Sequence, residues 1–259
     1  MQLAVVIPAL NEAATVADVA ARALRFTPRV IVVDDGSEDG TAERLRALPV
    51  RLIRNDATMG KAASIARGFA AALEQPLDAV ITLDGDGQHA PEDIPRLVDA
   101  AVRHPGDIVI AARLAGREHM PLSRRIGNRQ ADFWISWAAG YPIRDTQCGY
   151  RLYPAAVIAH LPVRPGRRNG FVFESESLIE AARRGCYARA VAIRAVYGRS
   201  PRASHYRASA DTVQIVRMVA GKLIRSGMNP SGLLRSFGLL AHPGVQRGRA
   251  AGKSSDALG

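Results

Sequence analysis

The chain has 259 residues, of which 47% are hydrophobic and 5% aromatic, and it carries a formal net charge of +11. A chain of this length and apolar content buries a full core, which excludes a disordered or fibrous protein. Two cysteines are too few for a disulfide framework, and no run of about 18 apolar residues predicts a transmembrane helix. The first apolar run ends at Pro8, so no signal peptide is indicated and we expect a cytoplasmic protein.

Short β-branched runs alternate with Ala-rich helical stretches over residues 1–115. The predicted strands, in chain order, are "LAVVIP", "RVIVVDD", "VRLIRN", "LDAVITLD" and "DIVIAAR". Helices are predicted between them, from about Glu12, after Gly40, from about Gly60 and near Pro91. This alternation is typical of βαβ units, and it predicts an α/β fold with a mainly parallel sheet flanked by helices.

After Gly116 the composition changes to arginine, glycine and aromatic residues. The sequence here predicts a helix around "RQADFWISWAAG", an irregular stretch "YPIRDTQCGYRLYP", a helix after "FVFESES" and a strand around "AVAIRAVYG". We therefore divide the chain into a nucleotide-binding half at 1–115, an acceptor-side half at 116–205 and a C-terminal segment at 206–259. That last segment is predicted to contain a helix near 208–226, the amphipathic piece "GLLRSFGLLA" and a basic, disordered tail.

Polar residues follow three of the predicted strands at the point where each strand ends. The first strand ends in "PALNE", the second in "DDGS" and the fourth in "DGD". The carboxyl ends of parallel strands meet at one edge of a sheet, where open α/β proteins bind their ligands. Each motif alone is typical of a turn or a helix cap, but the three together predict one binding site.

The pair Asp84 and Asp86 has the oxygen chemistry of a cation site. With Gln88, these residues occupy alternate positions, as the first ligands of an EF-hand calcium loop do. That loop also requires Gly at its sixth position and Glu at its twelfth, where this chain has His89 and Pro95, so an EF-hand is excluded. The remaining interpretation is a carboxylate pair suited to Mg²⁺ or Mn²⁺ that in turn binds phosphates.

The motifs "VVIPALNE", "VVDDGSEDGT", "RNDATMGKAAS" and "TLDGDGQHAPED" resemble, in this order, those of glycosyltransferase family 2, whose members have the GT-A fold. The later "AAR", "DTQCGYRLY" and "FVFESE" resemble its dolichol- or polyprenyl-phosphate mannosyl- and glucosyltransferase subgroup. The resemblance implies a single Rossmann-like GT-A catalytic domain at 1–205 with a C-terminal helical tail. It also implies metal-dependent, inverting transfer of a hexose from a GDP- or UDP-sugar.

The resemblance further implies which residues bind the donor. It assigns Asp84 and Asp86 to a divalent cation, Mg²⁺ or Mn²⁺, with Gln88 as a further ligand. Such a cation neutralises the charge that develops on a leaving nucleoside diphosphate. The other donor-binding residues implied are Pro8, Leu10, Asn11, Glu12, Asp34, Asp35, Lys61 and Gly85.

On the acceptor side, Arg113 matches the arginine of the family's Gly-Ser-Arg motif, although two alanines precede it here. Asp145 opens "DTQCGYR" and matches an aspartate that serves many members as general base. A sugar hydroxyl needs such a base, whereas a phosphate does not, and Asp145 would then orient the site or pair with Arg151. The other acceptor-side residues expected are Arg124, Arg125, Glu174, Glu176, Arg202 and His205.

The sequence leaves two acceptors open. Many members of the subgroup carry C-terminal transmembrane helices, and since none is predicted here, a lipid acceptor would be met by "GLLRSFGLLA" and the arginines at the cytoplasmic face of a membrane. The run "YGRSPRASHYRASADT" instead resembles some soluble bacterial members, which keeps a soluble or saccharide hydroxyl as the alternative acceptor. We predict polyprenyl phosphate.

Other kinds of protein fit the residues less well. A sugar nucleotidyltransferase needs a Gly-rich phosphate loop with a basic residue after its first strand, and "PALNEA" does not provide one. The net charge alone would fit a nucleic-acid-binding protein, but no helix-turn-helix, zinc finger or aromatic RNA-binding signature is recognisable, so we predict no nucleic-acid partner. Cys148 has no His or second Cys at dyad spacing, so a catalytic thiol is not predicted.

Overall fold

The structure, a computed structural model, describes residues 1–115, 122–161, 170–194 and 208–241. Its strands are β1 (Leu3–Ala9), β2 (Val30–Asp34), β3 (Arg51–Arg54), β4 (Ala79–Thr82), β5 (Ile108–Ala115), β6 (Arg151–Pro154) and β7 (Ala188–Arg194). Its helices are α1 (Val16–Ala23), α2 (Thr41–Arg44), α3 (Lys61–Ala72), α4 (Ile94–Arg103), α5 (Leu122–Ala139), α6 (Ala155–Ile158), α7 (Gly170–Arg183), α8 (Ala208–Arg225) and α9 (Pro230–Ser236). A 3₁₀ turn at Pro91–Asp93 leads into α4.

The strands form one sheet in the order β3-β2-β1-β4-β6-β5-β7. The neighbouring strands are parallel except at β6, which runs antiparallel to both β4 and β5. The predicted α/β fold with a mainly parallel sheet and flanking helices is therefore confirmed. The position of β6 beside β4 brings the chain before β6 to the sheet edge where Asp84 follows β4.

The core lies on both faces of the sheet. All seven residues of β1 and all five of β2 are buried, as expected for parallel strands covered by helices on each side. Helix α4 contributes Ile94, Leu97 and Ala101 to this core at helical spacing. The apolar runs of β1, β2, β4 and β5 thus reflect burial in the sheet, whereas the edge strand β3 is largely exposed.

Two predictions for the second half of the chain are wrong. The stretch 141–154 is not irregular throughout, because its last four residues form β6. A strand this short, with an arginine and a proline in it, has no pattern that separates it from a loop. Helix α7 begins at Gly170 rather than after "FVFESES", since Val172 and Phe173 pack in the core as part of the helix despite their strand-like composition.

The C-terminal segment packs against α5 and α7. Helix α8 covers almost the predicted range and buries Ile215, Val219 and Leu223, which are spaced four residues apart. Among the described residues, no helix has the length and apolar character needed to cross a membrane. The predicted disordered tail, from 242 onward, lies outside the described residues, and the boundary at 205 stays a prediction.

Gly68 lets α3 pack directly on β1, and we expect Gly68→Ala to destabilise the fold. A Cβ at this position would overlap Val6 Cγ1 and lie 3.1 Å from Val6 Cγ2. Overpacking of this kind costs about 1–3 kcal/mol of unfolding free energy, which urea denaturation at 25 °C measures. The matched control is Gly127→Ala in α5, where a Cβ meets nothing within 4 Å and helix propensity predicts a gain of up to about 1 kcal/mol. Equal effects of the two substitutions would contradict this packing.

Candidate active site

The ends of β1, β2 and β4 meet at one edge of the sheet. The Asp35 amide donates to the Ala9 carbonyl at 2.8 Å, which joins the second strand end to the first. The Thr15 hydroxyl donates to the Gly85 carbonyl at 2.7 Å, which joins the start of α1 to the loop after β4. A Cβ on Gly85 would lie 3.6 Å from the Pro8 carbonyl. The three polar motifs therefore form one continuous rim, as their positions at strand ends predict.

The loop after β1 is fastened to the loop after β2. Asn11 has a positive φ of 56°, its amide donates to the Ser37 hydroxyl at 2.8 Å, and its side-chain oxygen accepts from the Glu38 amide at 2.9 Å. The Glu12 amide donates to the Thr41 hydroxyl at 2.8 Å. Leu10 is half-buried in the same loop. These contacts fix the shape of the rim where the donor is expected, and the donor roles of these residues stay predictions.

Asp35 holds the loop that leads into α3. Its Oδ1 accepts from the Asn55 side chain at 2.6 Å and from the Met59 amide at 2.9 Å, and its Oδ2 accepts from the Gly60 amide at 2.8 Å. These three hydrogen bonds set the position of the first residue of α3, Lys61. The carboxylate predicted to bind the donor therefore also orients the backbone before Lys61.

Asp34 is fully buried at the end of β2. Its Oδ1 accepts from the Ser37 amide at 2.9 Å, and its Oδ2 lies 3.5 Å from Arg54 Nε. No hydrogen-bond donor from the described residues reaches Oδ2. Since buried acceptors are nearly always paired, this oxygen is a candidate contact for a ligand.

Lys61 lies between two acidic side chains. Its Nζ is 2.7 Å from Asp84 Oδ1 and 2.7 Å from Glu174 Oε1. Burial alone would lower the pKa of Lys61, but the negative charges of Asp84 and Glu174 outweigh it and raise that pKa above its ordinary value. Lys61 is therefore a fixed cation at the sheet edge.

Gly149 provides the space for this ion pair. A Cβ there would lie 2.7 Å from both Lys61 Nζ and Glu174 Oε1, and 3.0 Å from Asp84 Oδ2. The Gly149 carbonyl also accepts from the Thr82 hydroxyl at the end of β4, at 2.7 Å. Gly149 lies within "DTQCGYR", but its role cannot be predicted from that motif. The side chains that it accommodates come from distant parts of the chain.

The pKa values of Asp84 and Asp86, the two aspartates after β4, are shifted in opposite directions. Burial would raise the pKa of Asp84, but Lys61 outweighs it and lowers that pKa. Burial and the charge of Asp84 together raise the pKa of Asp86, whose Oδ1 accepts from the Gln88 amide at 3.0 Å. A cation between the two carboxylates would relieve their repulsion, so these residues fit a divalent metal.

The protein supplies only part of a metal's ligand set in the residues that the structure describes. No group of three or more His, Cys, Asp or Glu side chains is arranged there to hold a metal ion. Mg²⁺ and Mn²⁺ sites of this kind take their remaining ligands from substrate phosphates and water. A metal at Asp84 and Asp86 would therefore need further ligands from outside these side chains.

His89 and Cys148 lie side by side beneath the aspartates. His89 Nε2 is 4.0 Å from Cys148 Sγ, a proximity that spacing in the sequence does not show. Burial lowers the pKa of His89 to about 4 and raises the pKa of the Cys148 thiol to about 12, so both groups are neutral. The thiol donates to the Ala111 carbonyl at 3.0 Å. A protonated, buried thiol is a poor nucleophile, although the sequence does not show the histidine beside it.

Arg113 and Asp145 form a buried bidentate ion pair. Arg113 Nη2 donates to Asp145 Oδ1 at 2.6 Å, and Arg113 Nε and amide donate to Asp145 Oδ2 at 2.9 and 2.6 Å. Burial would raise the pKa of Asp145, but the hydrogen bonds and charge of Arg113 outweigh it and lower that pKa. The structure thus brings together the two residues predicted to be catalytic, as partners of each other.

Asp132 fixes the backbone of Asp145, which has a positive φ of 53°. The Asp132 carboxylate accepts from the Asp145 amide at 3.0 Å, the Thr146 amide at 2.8 Å and the Thr146 hydroxyl at 2.8 Å. Sequence analysis missed Asp132, because a lone acid in a helix has no signal that distinguishes it from a solvated one. The role of Asp132 can be recognised only once α5 is known to pack against the loop that contains Asp145.

The predicted pairing of Asp145 with Arg151 is wrong. Arg151 is fully buried and donates to three backbone carbonyls, those of Cys148 at 2.7 Å, Thr146 at 2.8 Å and Glu174 at 2.7 Å. Both carboxylate oxygens of Asp145 instead accept hydrogen bonds from Arg113. Arg151 fixes the backbone of the "DTQCGYR" motif, and Arg113 binds the carboxylate of Asp145, the first residue of that motif.

The remaining acceptor-side predictions are only partly placed by the structure. Arg125 is exposed on α5, and Glu176 lies 3.1 Å from Lys222 of α8. The side chain of Arg124, and the whole of Arg202 and His205, lie outside the described residues. The acceptor roles of all five stay predictions.

Asp86→Asn is expected to stabilise the metal-free protein, because the raised pKa of Asp86 means that its ionisation opposes folding. The resulting loss of unfolding free energy is complete at pH values above the raised pKa. It vanishes at pH values below the ordinary aspartate pKa of about 3.9. We expect a gain of about 1 kcal/mol in unfolding free energy at pH 7, in EDTA, that disappears at pH 3. Urea titrations at both pH values measure it. A variant less stable than the parent at pH 7 would contradict the electrostatic conflict at this site.

Comparison with known proteins identifies the family. Residues 4–160 match Glycosyl transferase family 2. The UDP-N-acetylglucosamine–dolichyl-phosphate N-acetylglucosaminyltransferase of Methanococcus voltae is 26% identical over 213 residues, which are 74% of this chain and 84% of that protein. The polyprenol monophosphomannose synthase of Mycolicibacterium smegmatis is 29% identical over 192 residues, 70% of this chain and 72% of that protein.

A solved structure shows the same fold. Glucosyl-3-phosphoglycerate synthase from Mycobacterium tuberculosis, in complex with Mn²⁺, UDP-glucose and phosphoglyceric acid, gives a TM-score of 0.63 at 21% identity, covering 85% of this chain and 79% of that one. The expected GT-A fold and the resemblance to the polyprenyl-phosphate subgroup are confirmed. The chain belongs to glycosyl transferase family 2 and is a glycosyltransferase.

Proposed function

We propose that the protein transfers a hexose from a GDP- or UDP-sugar to a polyprenyl phosphate, with inversion and with the help of a divalent metal. The names of two similar proteins, a dolichyl-phosphate and a polyprenol monophosphate enzyme, support the lipid phosphate acceptor. The observation that carries the proposal is the ion pair between Arg113 and Asp145.

This ion pair leaves Asp145 poorly suited to be a general base. Its side chain is 1% exposed, both carboxylate oxygens accept from Arg113, and its pKa is lowered. A sugar hydroxyl must lose a proton during transfer, and an efficient base has a pKa near the working pH. A phosphate oxygen is already anionic and needs no base. The geometry therefore favours a phosphate over a hydroxyl.

In the proposed step, a phosphate oxygen of the lipid attacks the anomeric carbon of the hexose from the face opposite the leaving group. A carbon–oxygen bond forms as the bond to the nucleoside diphosphate breaks, and the electron pair leaves with the diphosphate. A single displacement of this kind inverts the anomeric centre. Asp84, Asp86 and Gln88 would hold Mg²⁺ or Mn²⁺, which supplies Lewis-acid neutralisation of the leaving diphosphate.

An exposed aromatic patch supports contact with a membrane. It consists of Phe133, Trp134 and Trp137 from α5 and Phe237 after α9, with ring centroids of neighbouring members 5.3–6.2 Å apart. The Trp137 indole donates to the Met228 carbonyl at 2.8 Å, which ties α5 to the chain before α9. Trp134 is 44% and Phe237 is 62% exposed. Aromatic side chains of this type concentrate at membrane–water interfaces.

The charges around the aromatic patch favour an anionic lipid surface. Residues 213–241 contain no Asp or Glu, and three of their four cationic side chains are the arginines Arg217, Arg225 and Arg235. The fourth, Lys222, is buried and paired with Glu176 and Glu180, so it is not counted here. Leu239 and Leu240, also exposed, continue the apolar surface beyond Phe237. Basic residues beside apolar ones add about 1 kcal/mol each to binding on anionic membranes. We therefore propose that the protein acts at the cytoplasmic face of a membrane as a peripheral enzyme.

The acceptor is tested with radiolabelled UDP- and GDP-hexoses, Mn²⁺ and either polyprenyl phosphate in vesicles or free saccharides. We expect label in the organic phase after lipid extraction, and a loss of transfer in EDTA. Label recovered only on a water-soluble saccharide would replace the lipid phosphate with a hydroxyl acceptor. Full transfer in EDTA would remove the metal from the mechanism.

Membrane contact is tested by replacing Trp134 and Phe237 together with serine. Co-sedimentation with anionic liposomes should fall at least about fivefold, because each exposed ring loses roughly 1 kcal/mol or more of interfacial transfer free energy. The matched control is Val102→Ser on α4, an apolar side chain that is 62% exposed away from the patch. Binding should also weaken with salt. Equal sedimentation of the parent, the double variant and the control would exclude the patch as the membrane contact.

A further inference from the structure

A lysine ammonium lies against the carboxylate that the proposed function gives to the metal. Lys61 Nζ is 2.7 Å from Asp84 Oδ1, and both side chains are about a quarter exposed, at 24% and 23%. A metal bound to Asp84 through this oxygen would have to share it with the ammonium or displace it. The two cations therefore compete for one ligand.

Lys61 has a second anchor in Glu174. Glu174 Oε1 lies 2.7 Å from Lys61 Nζ, and the Glu174 side chain is only 2% exposed. Apart from Lys61, the side-chain oxygens of Glu174 have no hydrogen-bond partner among the residues that the structure describes. Because an uncompensated buried carboxylate is costly, Glu174 holds the ammonium in the site even when Asp84 is engaged elsewhere.

The space around the ammonium is closely defined. A Cβ on Gly149 would lie 2.7 Å from Lys61 Nζ and from Glu174 Oε1, so this face of the pair is closed by backbone. The Asp35 carboxylate fixes the Gly60 amide, immediately before Lys61, at 2.8 Å. Contacts to the backbone before it and to its ammonium thus hold the lysine, and its contact with Glu174 is already made beside Asp84.

We propose that Lys61 is a tethered counter-cation of the metal site, which competes with the divalent ion for Asp84 and withdraws onto Glu174 when the metal binds. This inference rests on the proposed metal dependence. Lys61 brings one positive charge to a site that contains three carboxyl groups, those of Asp84, Asp86 and Glu174. The metal alone is then held weakly, and it binds well only with a diphosphate that adds negative charge and further ligands.

The test measures binding of Mn²⁺ alone by the loss of the free-ion signal in electron paramagnetic resonance. Lys61→Met keeps the length of the side chain and removes the charge. We expect its Kd for Mn²⁺ to be about tenfold lower than that of the parent, because a repelling charge and a competing ligand are both lost. Arg103→Met, which removes an exposed charge from α4, is the control for net charge and should leave the Kd unchanged.

Lys61→Met leaves Glu174 buried without its counter-ion, which destabilises the fold, so a second comparison is made in a background that lacks the carboxylate. The double variant K61M/E174Q is compared with E174Q alone, and the double variant should again bind Mn²⁺ about tenfold more tightly. A purely structural salt bridge would change the unfolding free energy of these variants and not their Mn²⁺ affinity.

The outcomes separate this inference from the proposed function. If the parent binds Mn²⁺ and both Lys61 variants bind it equally or more weakly than their references, the counter-cation is overturned while the metal site stands. If only the variants lacking Lys61 bind Mn²⁺ measurably, the inference is supported in its strongest form. If neither the parent nor any variant binds Mn²⁺, the counter-cation is overturned, and the metal dependence of the proposed function is decided separately by transfer in EDTA.

Discussion

The site at the edge of the sheet depends on the hydrogen bonds of one buried side chain, the guanidinium of Arg151. It donates to the carbonyls of Thr146, Cys148 and Glu174, and so connects the loop before β6 to helix α7. A guanidinium has five donors in a rigid plane, which suits it to gather carbonyls from separate segments. Because backbone carbonyls accept these hydrogen bonds and compensate its charge, Arg151 needs no ion pair with a carboxylate of the site. Glu174 is then left to face Lys61.

A second series of contacts orients Asp145 and Arg113 from the opposite side. Asp132 on α5 accepts from the backbone of Asp145 and Thr146, and Asp145 in turn holds the guanidinium of Arg113 at the end of β5. The positive φ of Asp145 is thus maintained by hydrogen bonds that the helix supplies. Under the proposed function, the acceptor would meet a preorganised cation and anion, and helix α5 fixes the backbone of the anion.

The sequence predicted the half of the site that local patterns encode. Strands β1, β2 and β4 have unbroken apolar runs, and their polar ends must share one edge of a parallel sheet, so the rim formed by Asn11, Asp35 and Asp84 followed from topology. The roles of Asp132 and Gly149 did not follow, because each depends on a partner more than ten residues away and on no periodicity. Strand β6 was missed because its pairing, and not its composition, makes it a strand.

Lys61, Asp84 and Asp86 have opposing electrostatic effects on one another at this edge of the sheet. Asp84 is stabilised as an anion by Lys61, while Asp86 is destabilised as an anion by Asp84 and by burial. Like charges in a partly buried site oppose folding, so the repulsion between the two aspartates lowers the stability of the protein by itself. Under the proposed function, a divalent cation between them would relieve this repulsion, and an anionic donor would balance the charge that the cation and Lys61 bring together.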